Sequence, residues 1–243
     1  MYYEEKRAVT IGDSVYYSLR KNIMYLNLKP GESINTKEIA EQLGVSRSPV
    51  RDSLIKLQKE GLITTMPKKG TIISKINLNR VEEERFLRLC VEEKVILLFL
   101  KNHSDLDLNE LKNNLEKQKE CITKKDMELF LEYDDQFHKV FFRSSNKMLC
   151  WETLENMSGH YRRVRFMALS DVLVVNYVIE QHEKFLKLIL DENVQDLKIL
   201  IELHITQQNK EEKTLIEEYP DYFECASDDM ENFLKKDFLK MIK

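Results

Sequence analysis

The segment from Thr36 to Leu57, TKEIAEQLGVSRSPVRDSLIKL, constrains the fold more than any other stretch, because it specifies two short helices with almost no chain between them. Asn35 is a typical helix N-cap, and Gly44 ends the first helix after a run of helically spaced apolar residues. Ser46 can cap the second helix, and Pro49 lies in its first turn, where a missing amide proton costs least. The segment therefore predicts a helix-turn-helix.

The flanking segments extend this motif to a winged helix-turn-helix. Apolar residues repeat at helical spacing between Val9 and Leu26, which predicts a preceding helix. After the motif, residues 62–65 and 71–74 are β-branched runs that predict two short strands. The tip between them carries two lysines and a glycine, Lys68, Lys69 and Gly70, and this hairpin is the predicted wing.

The remainder of the chain predicts an all-α helical bundle, so the fold class is mainly α. Only 6 Gly and 4 Pro occur in 243 residues, which favours helices over a turn-rich β fold. We expect a DNA-binding domain over 1–76 and a helical domain over 77–243. The last predicted helix has an apolar face that packs either on its own subunit or in a dimer. The predicted helices are 80–102, 107–121, 127–144, 149–170, 172–191, 193–218 and 228–242.

The charge is unevenly distributed. Residues 1–75 contain 13 basic and 8 acidic residues, a net charge of +5, which leaves −9 for the rest of the chain because the total is −4. A basic head suits phosphate binding, although the signal is weak alone.

The longest apolar run, 95–100, is too short for a membrane span. The first residues lack the apolar core of a secretory signal, and the 4 Cys are far apart, so we expect reduced thiols and a cytoplasmic protein.

The second helix of the motif has the composition of a recognition helix. Its N-terminal end would enter the major groove, where an arginine fork can bind guanine O6 and N7 together. Lys37 can reach the DNA backbone, and the wing suits the minor groove. The alternative is a set of solvated charges on a small helical domain. The candidate DNA-binding residues are Lys37, Ser46, Arg47, Ser48, Arg51, Lys68, Lys69 and Gly70.

One aspartate and three of the 5 histidines form a second pattern. Asp134 and His138 are four residues apart and share a helix face, while His182 and His204 lie among apolar residues of later helices. Such a set can hold zinc, nickel, manganese or iron. From spacing alone, buried histidines satisfied by hydrogen bonds are the better interpretation.

Residues 13–75 resemble the DNA-binding domain of the GntR family of bacterial repressors. The resemblance implies a homodimer on a palindromic operator and the DNA contacts named above, with Lys37 replacing an arginine of some members. It depends on Leu19-Arg20, Leu28-Lys29-Pro30-Gly31-Glu32, Ile39-Ala40, Leu43-Gly44-Val45-Ser46-Arg47, Pro49-Val50-Arg51, Leu54, Leu57, Glu60-Gly61-Leu62-Ile63 and Lys69-Gly70.

Residues 80–212 resemble the FadR C-terminal domain (FCD) class that accompanies this DNA-binding domain. The resemblance depends on Arg88 with Glu92, Asp134-Asp135-Gln136-Phe137-His138, Ser145-Asn146, Glu180-Gln181-His182 and Leu203-His204-Ile205. It implies a divalent metal held by Asp134, His138, His182 and His204, for which we favour zinc.

The FCD resemblance also implies a small organic acid effector at the metal. Arg88 is the candidate counter-charge for its carboxylate, and Arg165 is a weaker candidate. We expect the remaining polar residues of this region at the surface: Asp135, Arg162, Arg163, His103 and His160.

Three functions remain open. The first is a ligand-responsive repressor or activator. The second is a regulator with a purely structural metal and a protein partner. The third is a metal-dependent enzyme, which the DNA-binding head and the lack of a recognisable nucleophile or general base weaken.

Overall fold

A computed structural model of the chain describes residues 10–66, 70–206 and 209–224, with the side chains of 209–211 not described. Contacts between Cα atoms divide the chain into two compact units. Unit 1 ends at Lys75 and unit 2 begins at Ile76.

Unit 1 combines three helices with a small antiparallel sheet, which confirms the winged helix-turn-helix. Its elements are α1 (Ile11–Met24), β1 (Ser33–Ile34), α2 (Thr36–Leu43), α3 (Arg47–Lys59), β2 (Ile63–Met66) and β3 (Gly70–Ile73). The strand order is β1-β3-β2, and β3 pairs with both neighbours. Strand β1 was not predicted, because a strand of two residues is too short to show a period of its own.

The apolar stripes of the three helices meet in one core. Val15, Leu19 and Ile23 of α1 pack with Leu57 of α3, and all four are buried. Leu43, the last apolar residue of α2, is 40% exposed. The helix ends at that residue, and Val45 beyond the turn packs against the core in its place.

The turn between α2 and α3 forms as predicted. Asn35 caps α2, and its side chain accepts a hydrogen bond from the Lys37 amide. Gly44 has a φ of 65°, in the left-handed region that favours glycine, and its N–H closes the helix on the Ala40 and Glu41 carbonyls. Ser46 begins α3 without a side-chain cap hydrogen bond. Its exposed hydroxyl is therefore available to a partner.

Unit 2 is helical, as predicted. The described part contains α4 (Leu78–Asn102), α5 (Asp105–Lys124), α6 (Met127–Ser144), α7 (Met148–Met157), α8 (Gly159–Ala168), α9 (Val172–Leu190), α10 (Val194–Thr206) and α11 (Asn209–Glu218). A single bridge between Ile76 and Phe223 holds the start of this unit beside its last described residues. The predicted helix at 228–242 lies outside the described residues.

Two predicted helices are each divided in the structure. The segment 193–218 forms α10 and α11, and the segment 149–170 breaks at Ser158 into α7 and α8. A buried carboxylate from α4 explains the second break. Glu84 accepts hydrogen bonds from the amides of His160 and Tyr161, at 3.0 and 2.8 Å. These free amides open α8, and a carboxylate is favourable there because the N-terminus of a helix carries partial positive charge.

Phenylalanine rings fill the centre of unit 2. Phe137 meets Phe141 edge to face, with ring centres 5.5 Å apart. On its other side Phe137 stacks on His182, with ring centres 4.2 Å apart and an interplanar angle of 14°. An apolar ring therefore fixes the plane of one candidate metal-binding imidazole. Among the described residues, no helix combines the length and apolar character that a membrane span requires.

The turn at Gly44 generates a stability prediction. A Cβ at this position would meet nothing within 4 Å, so Gly44→Ala tests the backbone conformation alone. We expect it to destabilise unit 1 by about 1 kcal/mol, since a non-glycine residue is strained at positive φ. Urea unfolding of the full chain, followed by amide exchange in α2 and α3, measures this change.

Gly12→Ala is the matched control, because Gly12 lies inside helix α1. We expect no loss of stability from this variant, and a gain of up to about 1 kcal/mol. Equal destabilisation by both variants would contradict the account of the turn.

Candidate nucleic-acid interface and candidate metal centre

The predicted recognition residues lie together at the start of α3. Ser46, Arg47, Ser48 and Arg51 are all exposed, while Val50 between them is fully buried. Burial of Val50 fixes the rotation of the helix, because residues three and four positions apart share a face. The polar side chains of this first turn therefore project away from the core of unit 1.

The charges of this surface are available to an anion. Neither Arg47 nor Arg51 pairs with a carboxylate within the part of the chain that the structure describes. Lys37 lies 3.8 Å from Glu41 in an exposed pair, which solvent weakens. Gly70 is exposed with a φ of 83° at the start of β3. Lys68 and Lys69, predicted for the wing tip, lie outside the described residues.

The four predicted metal ligands converge in unit 2. Asp134 and His138 come from α6, His182 from α9 and His204 from α10. One potential ligand atom from each residue lies within 4.8 Å of the others. Asp134, His138 and His182 are buried, and His204 is partly buried.

Each imidazole directs its Nδ1 atom at an acceptor oxygen. His138 Nδ1 lies 3.1 Å from Glu92 Oε1, but the contact does not have the geometry of a hydrogen bond. His182 Nδ1 and the Gln118 amide oxygen are 2.8 Å apart, as are His204 Nδ1 and the Gln181 amide oxygen. An amide oxygen only accepts hydrogen bonds, and the Gln118 amide is oriented by its donation to the Tyr133 carbonyl, so Nδ1 of His182 carries the proton and Nε2 carries the lone pair. This is the orientation in which second-layer groups hold metal-binding histidines in proteins.

The three Nε2 atoms point at one small volume. Those of His138 and His204 are 3.1 Å apart, and that of His182 is buried without a hydrogen-bond partner, 3.5 Å from Asp134 Oδ1. The His138–His204 contact is a hydrogen bond if one of the two rings carries its proton on Nε2, and a cation bound between the two atoms would take the place of that proton. One carboxylate and three imidazoles match the ligands that zinc and other borderline divalent metals prefer. The donor set therefore fits a divalent metal.

Burial also favours the metal-binding protonation states. Burial lowers the pKa of His182 to about 3 and holds the pKa of His204 well below its usual range, so both rings are neutral at pH 7. Burial alone would raise the pKa of Asp134, but the charge of Arg165 and the neighbouring histidines lower it well below its usual range. A neutral imidazole and an ionised carboxylate are the forms that bind metals.

Arg165, the weaker of the two effector candidates, reaches the cluster from α8. Its guanidinium group pairs with Asp134 and lies 3.0 Å from Asp135 Oδ1. The expectation that Asp135 faces solvent was wrong, because Arg162 also pairs with Asp135 and the carboxylate is buried between the two guanidinium groups. Arg162 itself is only partly buried.

Arg88, the predicted counter-charge for an effector, is buried and paired with Glu92 at 3.2 Å. It belongs to a group of three arginines around one aromatic ring. The guanidinium carbons of Arg85, Arg88 and Arg165 lie 5.9, 5.9 and 5.8 Å from the ring centre of Tyr161, a distance typical of cation–π contacts. Arg85 pairs in turn with Glu212 of α11 at 2.8 Å.

Two residues expected at the surface are buried, so that expectation was wrong. Arg163 is fully buried, and its guanidinium group lies 3.1 Å from His160 Nδ1. The same Nδ1 atom accepts the Asn77 amide proton at 3.0 Å, which ties α8 to the start of unit 2. Burial lowers the pKa of His160 to about 3, so its ring is a neutral acceptor. His103 is half-buried at the end of α4, apart from the metal cluster.

Sequence reasoning missed Gln118 as a member of the site. It lies on the buried face of α5 with Leu111, Leu115 and Cys121. Its amide nitrogen donates to the Tyr133 carbonyl at 3.2 Å, which turns the amide oxygen towards His182. A glutamine in helical register with several apolar residues is the signal that could have identified it, since a buried amide needs partners.

Two family models match the chain. Residues 11–73 match the model described as bacterial regulatory proteins, gntR family, and residues 85–207 match the FCD domain. GntR regulators bind operator DNA and generally act as dimers, and FCD domains often bind metal ions.

Curated relatives and solved structures agree with these two family matches. The transcriptional repressor RspR of Escherichia coli is 27% identical over 213 residues, which cover 88% of this chain and 93% of RspR. A regulator from Streptomyces ambofaciens is 31% identical over 193 residues, which cover 79% of this chain and 80% of that protein. The structure of Escherichia coli McbR shares the fold, with a TM-score of 0.73 and 22% identity over 87% of this chain and 100% of that one.

These relatives are named as transcriptional regulators and not as enzymes, which sets aside the metal-dependent enzyme considered from the sequence. The chain belongs to the GntR family, carries an FCD domain behind its winged helix-turn-helix, and is a DNA-binding transcriptional regulator.

Proposed function

We propose that this regulator controls transcription in response to a small carboxylate effector, which binds at a divalent metal in unit 2. The DNA-binding domain of the proposal is 1–76, and the metal- and effector-binding domain is 77–243. The convergence of three imidazole Nε2 atoms and one carboxylate on a single buried volume carries the proposal. Without a metal, His182 Nε2 stays buried without a hydrogen-bond partner.

Operator recognition is assigned to the first turn of α3. Arg47 and Arg51 are four residues apart on one exposed face and have no competing carboxylate among the described residues. Their side chains can reach guanine in the major groove, while Ser46 and Ser48 suit phosphate or base edges. Lys37, Lys68, Lys69 and Gly70 would contact the backbone and the minor groove. A homodimer would present two such helices to a palindromic operator.

Arginine variants test this assignment. Arg47→Ala and Arg51→Ala are each expected to weaken operator binding by about 1–3 kcal/mol and to relax base preference, because each removes a bidentate base contact. Fluorescence anisotropy on selected operator DNA and on scrambled DNA measures both effects.

Lys59→Ala is the matched control, since Lys59 is an exposed cation in the last turn of the same helix. We expect its affinity and base preference to match those of the wild-type protein. Operator binding by both arginine variants at wild-type strength would refute the recognition helix.

The metal would be held by Asp134, His138, His182 and His204. Glu92, Gln118 and Gln181 would orient the three rings through their Nδ1 atoms, and Phe137 would hold the plane of His182. We favour zinc, and nickel, manganese and iron share the preference for this donor set. The bound metal supplies positive charge to which an anionic ligand can coordinate.

Histidine variants test the metal site. His182→Ala and His204→Ala are expected to lose most of the bound metal, because the remaining groups cannot complete the coordination shell. Both variants are also expected to melt at a lower temperature. Elemental analysis and thermal unfolding measure the two outcomes.

His103→Ala is the control, because this half-buried histidine lies outside the cluster. It is expected to keep one metal per chain. Stoichiometric metal in His182→Ala and in His204→Ala would leave the four-residue site without support.

The charge balance around the site favours an anionic effector. Four arginines around the site pair with four carboxylates, so these side chains are neutral in sum. The three histidines carry their charge only if protonated, and burial disfavours that form in His182 and His204. A divalent metal adds two positive charges in an interior where charge is costly to leave unbalanced. A carboxylate on the metal offsets that excess, and Arg88 is the proposed counter-charge because its fork matches a carboxylate. Arg165 is the second candidate.

Helix α8 supports a connection between this site and the DNA-binding domain. Tyr161 and Arg165 of α8 contact the arginine group and Asp134, while His160 of the same helix accepts the Asn77 amide proton. Asn77 follows the last residue of unit 1 by two positions. A small displacement of α8 on effector binding would therefore act on the start of unit 2. An effector can change operator affinity only if it binds the competent and incompetent arrangements unequally.

Effector titrations test the coupling. A melting-temperature screen of small organic acids on the metal-loaded protein would identify a ligand. Its affinity is then expected to differ about 5- to 150-fold with and without operator DNA, which is the usual range of allosteric coupling. Arg88→Ala is expected to weaken effector binding, whereas Arg143→Ala, a surface arginine of α6 that pairs with Glu110, leaves it unchanged.

Equal effector affinities in the two titrations would exclude the coupling, and unchanged binding to Arg88→Ala would exclude the role of that residue.

One observation favours a second function, in which the metal is structural and the signal is a protein partner. Arg88 and Arg165 already pair with carboxylates and need no further anion. In that case no organic acid shifts the melting temperature in a metal-dependent manner.

A further inference from the structure

Helix α4 has an outward face that no described part of the chain covers. Its inward side contains the buried residues that reach the metal cluster, and α6, α7, α8 and α10 pack against it. On the outward side, Phe86 is 55% exposed and Leu98 is 37% exposed. The exposed or half-exposed residues of this face are defined as the α4 stripe: Glu83, Phe86, Leu87, Cys90, Lys94, Leu97, Leu98 and Lys101.

The α4 stripe has the composition of an interface. At 100° per residue, Glu83, Cys90, Lys94 and Lys101 form its centre line, and apolar side chains flank that line on both sides. The stripe runs over five turns of a 25-residue helix. Exposed apolar residues that follow one another along a helix, here on both sides of a line of charges, mark a contact site rather than ordinary surface.

The order of charges along the stripe selects the occupant. The acidic residue, Glu83, is near the N-terminal end, and the basic residues, Lys94 and Lys101, are near the C-terminal end. A second copy packed parallel would place each of these charges against itself. A second copy packed antiparallel would place Glu83 against Lys101 twice, once on each side of the twofold axis.

The antiparallel register also matches the apolar residues. When Glu83 is level with Lys101 of the second copy, Cys90 is level with Lys94. Phe86 then meets Leu97 on one flank, and Leu87 meets Leu98 on the other. The charged residues and the apolar residues of the two copies therefore match in the same register, and the two helix dipoles point in opposite directions.

We propose that the α4 stripe is the contact surface between two copies of this chain, packed antiparallel with Glu83 of each copy against Lys101 of the other. The contact supplies the homodimer that two operator half-sites require, so it depends on the proposed function only through the need for a dimer. The opposite side of the same helix carries Arg88 and Glu92. The dimer contact and the candidate effector site would therefore share α4.

Phe86→Glu tests the surface in the full-length, metal-loaded protein. Burying a carboxylate in an apolar contact twice per dimer is expected to raise the dimer dissociation constant at least about 100-fold. Leu106→Glu is the matched control, because Leu106 of α5 is a 79% exposed leucine on another helix, and it is expected to leave the constant unchanged. Analytical ultracentrifugation over a concentration series measures both, and retained metal shows that unit 2 is intact.

Charge reversal tests the register. Glu83→Lys and Lys101→Glu are each expected to weaken the dimer about 10-fold. The double variant is expected to restore the wild-type dissociation constant, because it reverses both charges of each exposed pair and so keeps the two pairs. In Lys94→Cys, oxidation is expected to join position 94 to Cys90 of the other copy. Lys101→Cys, almost two turns further along, is not expected to bond with Cys90.

Several outcomes would overturn the proposal. A wild-type chain that stays monomeric at all concentrations would remove the second copy, and a dimer that Phe86→Glu leaves intact would place the contact elsewhere. Failure of the double charge reversal, or a bond between two copies of position 94, would exclude the antiparallel register. A dimer that dissociates only on deletion of residues 225–243 would assign the contact to that segment. Retained metal in Phe86→Glu would leave the metal-site proposal standing in each case.

Discussion

The convergence of three imidazole rings and one carboxylate on a single buried volume organises the interior of unit 2. Two imidazole nitrogens face each other at 3.1 Å, and a third lies beside a carboxylate without a hydrogen-bond partner. The rings of His182 and His204 each lie against a glutamine of another helix, and the ring of His182 is stacked on Phe137. A cation held between these atoms, as proposed, would satisfy the nitrogen that has no hydrogen-bond partner. The aromatic core, the polar groups behind the rings and the arginines around Tyr161 all surround that point.

The polar interior has a cost that the structure offsets by pairing. An isolated buried charge is unfavourable by several kcal/mol, so buried arginines and carboxylates occur together. Arg88 pairs with Glu92, Arg85 with Glu212, and Arg165 with Asp134. An anion that enters this network has to compete with a resident carboxylate. Such competition offers a physical route by which a ligand could move a helix, since Arg165 of α8 pairs with Asp134 of α6, and Arg85 of α4 pairs with Glu212 of α11.

Unit 1 depends on simpler physics. Its core buries one stripe from each of three helices, and the single left-handed residue at Gly44 sets the angle between α2 and α3. Val50 anchors α3 in the core and leaves Arg47 and Arg51 outside, so the side chains that would contact DNA need no rearrangement to become accessible. The positive charge of residues 1–75 and the negative charge of the remainder are consistent with one nucleic-acid surface at one end of the chain.

Local sequence determined the elements whose causes are local. The helix-turn-helix, the left-handed glycine, the wing strands and the helical class of unit 2 follow from caps, periodicity and the scarcity of glycine and proline, and the structure confirms them. The four candidate ligands could be named because family resemblance added to spacing, which alone favoured ordinary buried histidines. The structure brings these four residues together.

Only the tertiary structure decided which other polar residues are buried. Asp135 and His160 have nothing in their own segments that predicts burial, because Asp135 pairs with Arg162 of α8 and His160 bonds with Asn77 at the start of unit 2. Arg163 is buried beside His160 of its own helix. The break at Ser158 has the same origin, since Glu84 of α4 supplies the cap that α8 lacks in sequence. The spacing of apolar residues in a sequence shows which face of one helix can be buried in a core. The exposed face of α4 and the interior network of unit 2 depend on which helices pack together, which no single segment encodes.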